Sequence, residues 1–203
     1  MTTTALFTQM LTDVYAITNR PDRPVETAVA VKNATLKAHT MDYFTRDIYE
    51  LTFFFASSEY THDLDYKGLV PRFRNLKYLY RTDTSQTPAV NVGDPLTIIT
   101  PENKLDSYGQ NKTNVVYLAG DVLQIKTECQ WQYFTMGCYR YPNLTEATYD
   151  SWIAQEISQA ITAEAARAVF KFIGKDEEAQ SMKELIADAY ALVTRTAVEA
   201  HGS

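Results

Sequence analysis

Hydrophobic spacing changes twice along this chain, and that double switch constrains the fold more than any other feature. Apolar residues recur at helical intervals over 1–50, at strand-like intervals over 51–142, and at helical intervals again over 143–203. In the first section Leu6, Met10, Val14 and Ile17 share a stripe, with Leu11 beside it. Asn19-Arg20-Pro21 ends that helix, because proline disfavours the helical conformation of the residue before it. Pro24 suits a first helical position, and Glu26 suits the positive end of the helix dipole. Val25, Val29, Leu36 and Tyr43 then repeat at turn and heptad spacing, with Phe44, Ile48 and Leu51 alongside. One long helix or two short ones are expected from Pro24 to about Glu50, with a bend near Thr40.

The middle section reads as short strands separated by polar turns. Leu51 to Ala56 is aromatic-rich, Arg72 to Arg81 is extended, and Leu96 to Ile99 is a brief β-branched run. The clearest hairpin joins Asn114–Leu118 to Val122–Lys126 through Ala119-Gly120-Asp121. A last strand runs from Trp131 to Tyr141. A small antiparallel sheet or a pair of β-arms would accommodate these pieces.

Helical spacing returns with Ile153, Ile157, Ile161, Ala165, Ala168 and Phe172. Gly174 marks the end of that helix. Asp176, Glu177 and Glu178 open another, whose stripe is Ala179, Met182, Ile186, Ala189, Val193 and Ala197. Amphipathic helices at both ends must bury their faces, and packing them together is the simplest solution. The expected fold is therefore α+β, mainly α. N- and C-terminal helices form a bundle, and 51–142 forms an inserted small antiparallel β region or β-arm.

Charge and motifs narrow the chemistry. Nineteen basic against twenty-five acidic residues leave a net charge of -6, unlike a dedicated nucleic-acid-binding domain. The start lacks the features of a signal peptide, and no apolar stretch approaches the roughly 20 residues of a membrane helix. A cytosol-like compartment is expected, where Cys129 and Cys138 would normally stay as thiols. His39-x-x-Asp42 would put two ligands on one helical face, but no third follows at ligand spacing, so no metal is expected. His62 and the nearby Asp63 and Asp65 fall in a polar loop without a nucleophile elbow. No phosphate-cradling glycine pattern occurs.

The run 67–81 carries five cations and no acid, interleaved with Phe73, Tyr78 and Tyr80. Strict alternation would place Arg72, Arg74, Leu76, Tyr78 and Tyr80 on one face. The run reads as a cation-protected edge strand or a protein contact, and alternatively as a nucleic-acid surface. From Thr145 to Ala200 the balance reverses, with ten acids against five bases. Such charges usually solvate an outer helix face.

Four segments, Met10–Asp22, Leu36–Asp47, Tyr149–Ala154 and Phe170–Ala179, carry a family likeness. Together with the layout of the whole chain, they resemble the head-to-tail adaptors of tailed bacteriophages, also called connectors or gatekeepers. Those of short-tailed phages are the nearest comparison. The resemblance implies a structural virion protein at the head–tail junction, assembled in the host cytoplasm, with no catalysis and no cofactor. It implies a ring of further copies, typically twelve, between the portal protein and a tail nozzle or tube protein. Encapsidated DNA would pass through the lumen, and no membrane is involved. On this resemblance Leu192, Arg195 and Val198 face the portal, while Phe73, Arg74, Tyr78 and Tyr80 face a neighbouring subunit or the tail. Asp176, Glu177, Glu178 and Glu184 are then candidates to line the channel. Two rivals remain: a nucleic-acid-binding module using 67–81, and a small hydrolase using His62 with a nearby carboxylate.

Overall fold

A computed structural model describes residues 3–199, and side chains up to residue 197. In chain order the elements are α1 (Ala5–Thr18), α2 (Pro24–Thr40), β1 (Ile48–Asp65), α3 (Tyr66–Leu69), β2 (Phe73–Asp83) and β3 (Val90–Val92). There follow β4 (Thr97–Ile98), β5 (Val115–Ala119), β6 (Val122–Arg140), α4 (Trp152–Glu156), α5 (Ser158–Phe172) and α6 (Asp176–Glu199). The chain forms two compact units. One comprises the segments up to Asp47 and from Tyr141 onward, the other Ile48–Arg140.

This corrects the expected fold class. The chain is 44% helical and 32% strand, with a curled, mixed, six-stranded sheet rather than a small β-arm on a helical bundle. Two strands account for the difference. Leu51–Ala56 and the supposed His62 loop belong to one strand of 18 residues, β1. Val122–Lys126 and Trp131–Arg140 belong to one of 19, β6. The exposed stretch Ala56–Thr61 interrupts the side-chain pattern but not the strand, whose register shifts between Phe54 and Glu59 and again before Thr61. Backbone pairing tolerates such bulges, and they sharpen the twist that curls a sheet.

In the helical unit α5 packs against α1, α2, α4 and α6. Ala160, Ala163, Ala165 and Ala166 are buried there, and their small side chains permit close helix approach. Phe7, Met10 and Val14 of α1 complete that core with Ile153 and Ile161. Burying one such large side chain contributes about 1.5–3 kcal/mol. The α6 stripe falls as expected: Ala179, Ile186, Ala189, Val193 and Ala197 are buried and Met182 packs against them.

Two other stripes do not. α2 buries Thr27, Ala30, Val31, Ala34, Thr35, Ala38 and His39, while Val25 and Val29 stand 71% and 50% exposed. Close packing on an alanine-rich helix selects small residues, not the most apolar ones. α2 also stops at Thr40 instead of reaching Glu50. On α5, Val169 and Phe170 are buried where Ala168 and Phe172 were expected, and Phe172 is 62% exposed. A break at Ile157 (φ -133°, ψ 53°) separates α4 from α5, so the stripe does not run on in one phase.

In the sheet unit β6 is the central strand. β1 lies along one edge, and β5 and β2 share the other, pairing with Val122–Lys126 and Phe134–Arg140 respectively. β3 extends β2, and β4 lies parallel to β5. The hairpin at Gly120-Asp121 closes with Ala119 opposite Val122. Gly120 takes φ +64°, a conformation hairpin turns need and a Cβ opposes. One face of the sheet carries Leu76, Leu79, Leu123, Ile125, Phe134 and Met136 in its core.

Candidate assembly surfaces and a buried serine–histidine–aspartate network

β2 does not present the single alternating face expected of it. Register shifts between Phe73 and Asn75 and between Leu76 and Tyr78 break the alternation. Leu76 and Leu79 go to the core, whereas Tyr78 crosses Gly137 on the opposite face. Tyr78 donates its hydroxyl to Glu50, with Tyr80 5.5 Å away ring to ring. Burial first, and then Glu50, push the Tyr78 phenol up to about 12. Phe73 turns away from this pair and packs on Tyr66, 4.4 Å between centroids. Arg74 is half-buried. Of the four residues expected at the subunit or tail interface, the structure brings together Tyr78 and Tyr80.

The cations of the run are largely engaged within the sheet unit. Lys67 pairs with Asp121, Arg81 with Glu128 at 3.1 Å, and the Lys77 ammonium lies 5.9 Å from the Tyr139 ring centroid.

Along α6 the acids fall into two sets. Asp176, Glu177 and Glu178 occupy the first turn, where backbone N–H groups favour negative charge. Glu178 also pairs with Lys175 at 3.0 Å, and its carboxyl is held below the usual range by its own backbone N–H and by Lys175. With 3.6 residues per turn, Glu177 of that first turn aligns with Glu184 and Asp188 diametrically opposite the buried stripe. These three make no ion pair among the described residues. By contrast Glu146, Glu156 and Glu164 are matched by Lys32, Arg46 and Lys37. Leu192 and Arg195 are exposed farther along α6, and the Val198 side chain lies outside the described residues.

The most organised polar cluster escapes any local sequence pattern. His39 Nδ1–H donates to both Asp47 carboxylate oxygens, at 2.9 and 3.1 Å. In the neutral ring Nε2 is then an acceptor for the Ser151 hydroxyl at 2.9 Å. Trp152 Nε1–H donates to Asp47 Oδ1 at 2.9 Å, and Arg46 lies 4.7 Å over the Trp152 ring. The connectivity is that of a nucleophile, base and orienting acid. Its environment differs: Ser151 is 2% exposed and His39 3%. Ser151 Oγ also caps α4 by accepting the Ala154 N–H at 3.1 Å. A nucleophile needs a reacting carbonyl about 3 Å away, and at 2% exposure Ser151 is closed off from solvent. In this conformation the cluster is a clamp joining the end of α2, the turn at Asp47 and the start of α4.

The clamp also corrects the histidine pair. Since α2 ends at Thr40, Asp42 is not on the helix with His39, and His39 turns to Asp47 instead. Among the described residues no three His, Cys, Asp or Glu side chains converge as metal ligands. His62 is not in a loop: it is buried in β1, stacked on Phe55 at 4.0 Å, and donates Nε2–H to the Trp131 carbonyl at 2.7 Å. Cys129 and Cys138 are free thiols on one strand, nine residues and hence about 30 Å apart at 3.3 Å per residue. Burial pushes the Cys138 thiol up to about 11. No described helix is long and apolar enough to cross a membrane.

Compared with known proteins, the chain matches no family model and no curated sequence.

Proposed function

We propose that this chain is the structural head-to-tail adaptor of a tailed bacteriophage. In this reading it docks on the portal ring, joins it to the tail nozzle or tube protein, and continues the DNA channel as a ring of copies. The reading rests on the resemblance of four segments to that family. The structural observation that carries it is the unpaired line Glu177, Glu184 and Asp188 on the solvent face of α6. A rigid helix with fixed negative charge along its outer face repels DNA at close range and gives it nowhere to bind. Such a wall suits a conduit through which a polyanion must slide. Leu192 and Arg195 are exposed farther along α6, and this reading assigns them to the portal contact.

The rival readings draw less support from the geometry. A nucleic-acid surface at 67–81 has Lys67 and Arg81 already paired with acids, and phosphate affinity depends on available cations. A hydrolase built on His62 would need the ring that Phe55 and the Trp131 carbonyl hold.

Mixing the purified protein with portal rings of short-tailed phages and imaging by electron microscopy tests the proposal. A ring of this chain capping the portal is the expected result. A protein that stays apart from every portal, yet binds DNA with affinity falling steeply in salt, would replace it with the nucleic-acid reading.

A further inference from the structure

The sheet of Ile48–Arg140 has two strand edges of opposite charge. β1 pairs only with β6 among the described residues, so one side of an 18-residue strand has no ladder partner there. Across the sheet, β2 meets β3 only over Arg81–Asp83, and Leu96 N–H donates to the Leu79 carbonyl. Among the described residues, Phe73–Tyr78 is therefore a second edge without a strand on its outer side. Open edges are templates for another strand, and chains usually guard them with lysine or proline. β1 contains neither. It carries Glu50, Glu59, Asp63 and Asp65 with no lysine or arginine, while the Phe73–Tyr78 edge carries Arg74 and Lys77 and no acid.

We propose that these edges pair with each other between copies, β1 of one protomer adding to β2 of the next. Joining β1 to β1 would set acids against acids, and β2 to β2 cations against cations, and like charges placed opposite one another destabilise a ladder. Only the mixed junction is complementary. A contact between two different surfaces is heterologous, and repeats into a ring or an open filament rather than a dimer. Strand direction specifies the junction further. β1 and β2 both run antiparallel to β6, so they run parallel to each other. Rotation about an axis along the strands keeps that direction, and each junction in a ring is then a parallel ladder. Closure into a ring rests on the adaptor reading; the edge pairing does not.

Lys77 supplies the test, because it is exposed and sits at the β2 bulge where no β6 residue opposes it. Isotopically light and heavy full-length protein are mixed at high concentration and treated with a carbodiimide, which couples only carboxylates and amines in contact. Light–heavy peptides joining Lys77 to Glu50, Glu59, Asp63 or Asp65 are expected. K77E should lose coupling with its own kind, E50K/D63K should lose the links to positions 50 and 63, and mixing the two should restore those links. That rescue also shows that both variants fold. Light–heavy links that bypass Lys77, or none at all, overturn the edge pairing. Portal docking in the same preparations separates this inference from the adaptor reading. If K77E forms portal-bound rings as the unaltered chain does, the edge pairing falls and the adaptor stands. Coupling at Lys77 without portal docking does the reverse.

Discussion

Gly137 is covered by the ring of Tyr78, and a Cβ at that position would lie 2.2 Å from the tyrosine Cζ. G137A must therefore push Tyr78 off the strand and break its bond to Glu50. Overpacking of this kind costs about 1–3 kcal/mol, measurable by urea unfolding. In a Y78A background the same substitution should be nearly neutral, and a penalty that persists there would place the strain elsewhere. Ser151 is the second residue whose removal has a defined consequence. S151A removes the hydroxyl that bridges the Ala154 N–H and His39 Nε2, a loss of about 1–3 kcal/mol. A fluorophosphonate probe should leave Ser151 unmodified in the folded protein; labelling there would show that the clamp opens to expose a working nucleophile.

At the scale of elements, α6 and α2 show when periodicity succeeds. α6 is a surface helix with one buried stripe, so its apolar residues and its contacts coincide. α2 lies against an alanine-rich neighbour, and its buried face is mostly alanine and threonine, with Val31 and His39, while Val25 and Val29 point outward. A scale that ranks residues by apolarity then selects the wrong side. The acidic line of α6 yields its own prediction. Reversing Glu184 and Asp188 to lysine changes stability by no more than about 0.5 kcal/mol per exposed site, and reversing Glu177, in the first turn, costs about 1 kcal/mol. If the adaptor proposal holds, virions assembled with the triple variant should retain DNA, with ejection slowed or arrested at low salt and partly restored at high salt. Ejection indistinguishable from that of the unaltered virion would remove α6 from the channel wall.

For the whole molecule, alkaline pH is the expected weakness, because both compact units bury acids that resist ionisation. Burial pushes Tyr149 in the helical unit up to about 12, and Tyr78 and Cys138 in the sheet unit are raised to about 12 and 11. Their ordinary values are 10.0, 10.0 and 9.0, so on unfolding these groups release protons that the folded chain holds. Stability is whole below pH about 9 and declines as pH rises towards about 12. Unfolding midpoints measured from pH about 8 to 11 should fall accordingly, and Y149F should flatten the decline. A midpoint unchanged across that range would contradict the burial of all three groups.

The ends of α1 and α5, the Gly120 hairpin and the α6 stripe could be read from the chain because each depends on residues a few positions apart. Asn19 before Arg20-Pro21 and Gly120 before Asp121 are local instructions that any surroundings would obey. Other features were settled only by tertiary structure. β1 and β6 continue through stretches with no alternating pattern because their backbones pair with each other, Phe53 meeting Phe134 across the sheet. The bulge in β2 between Leu76 and Tyr78 sets those two side chains on opposite faces. His39 finds Ser151 112 residues away, and Asp47 only because the helix stops short and the chain turns back. Periodicity registers an element's own repeat, whereas these features arise from partners distant in sequence, which no local repeat encodes.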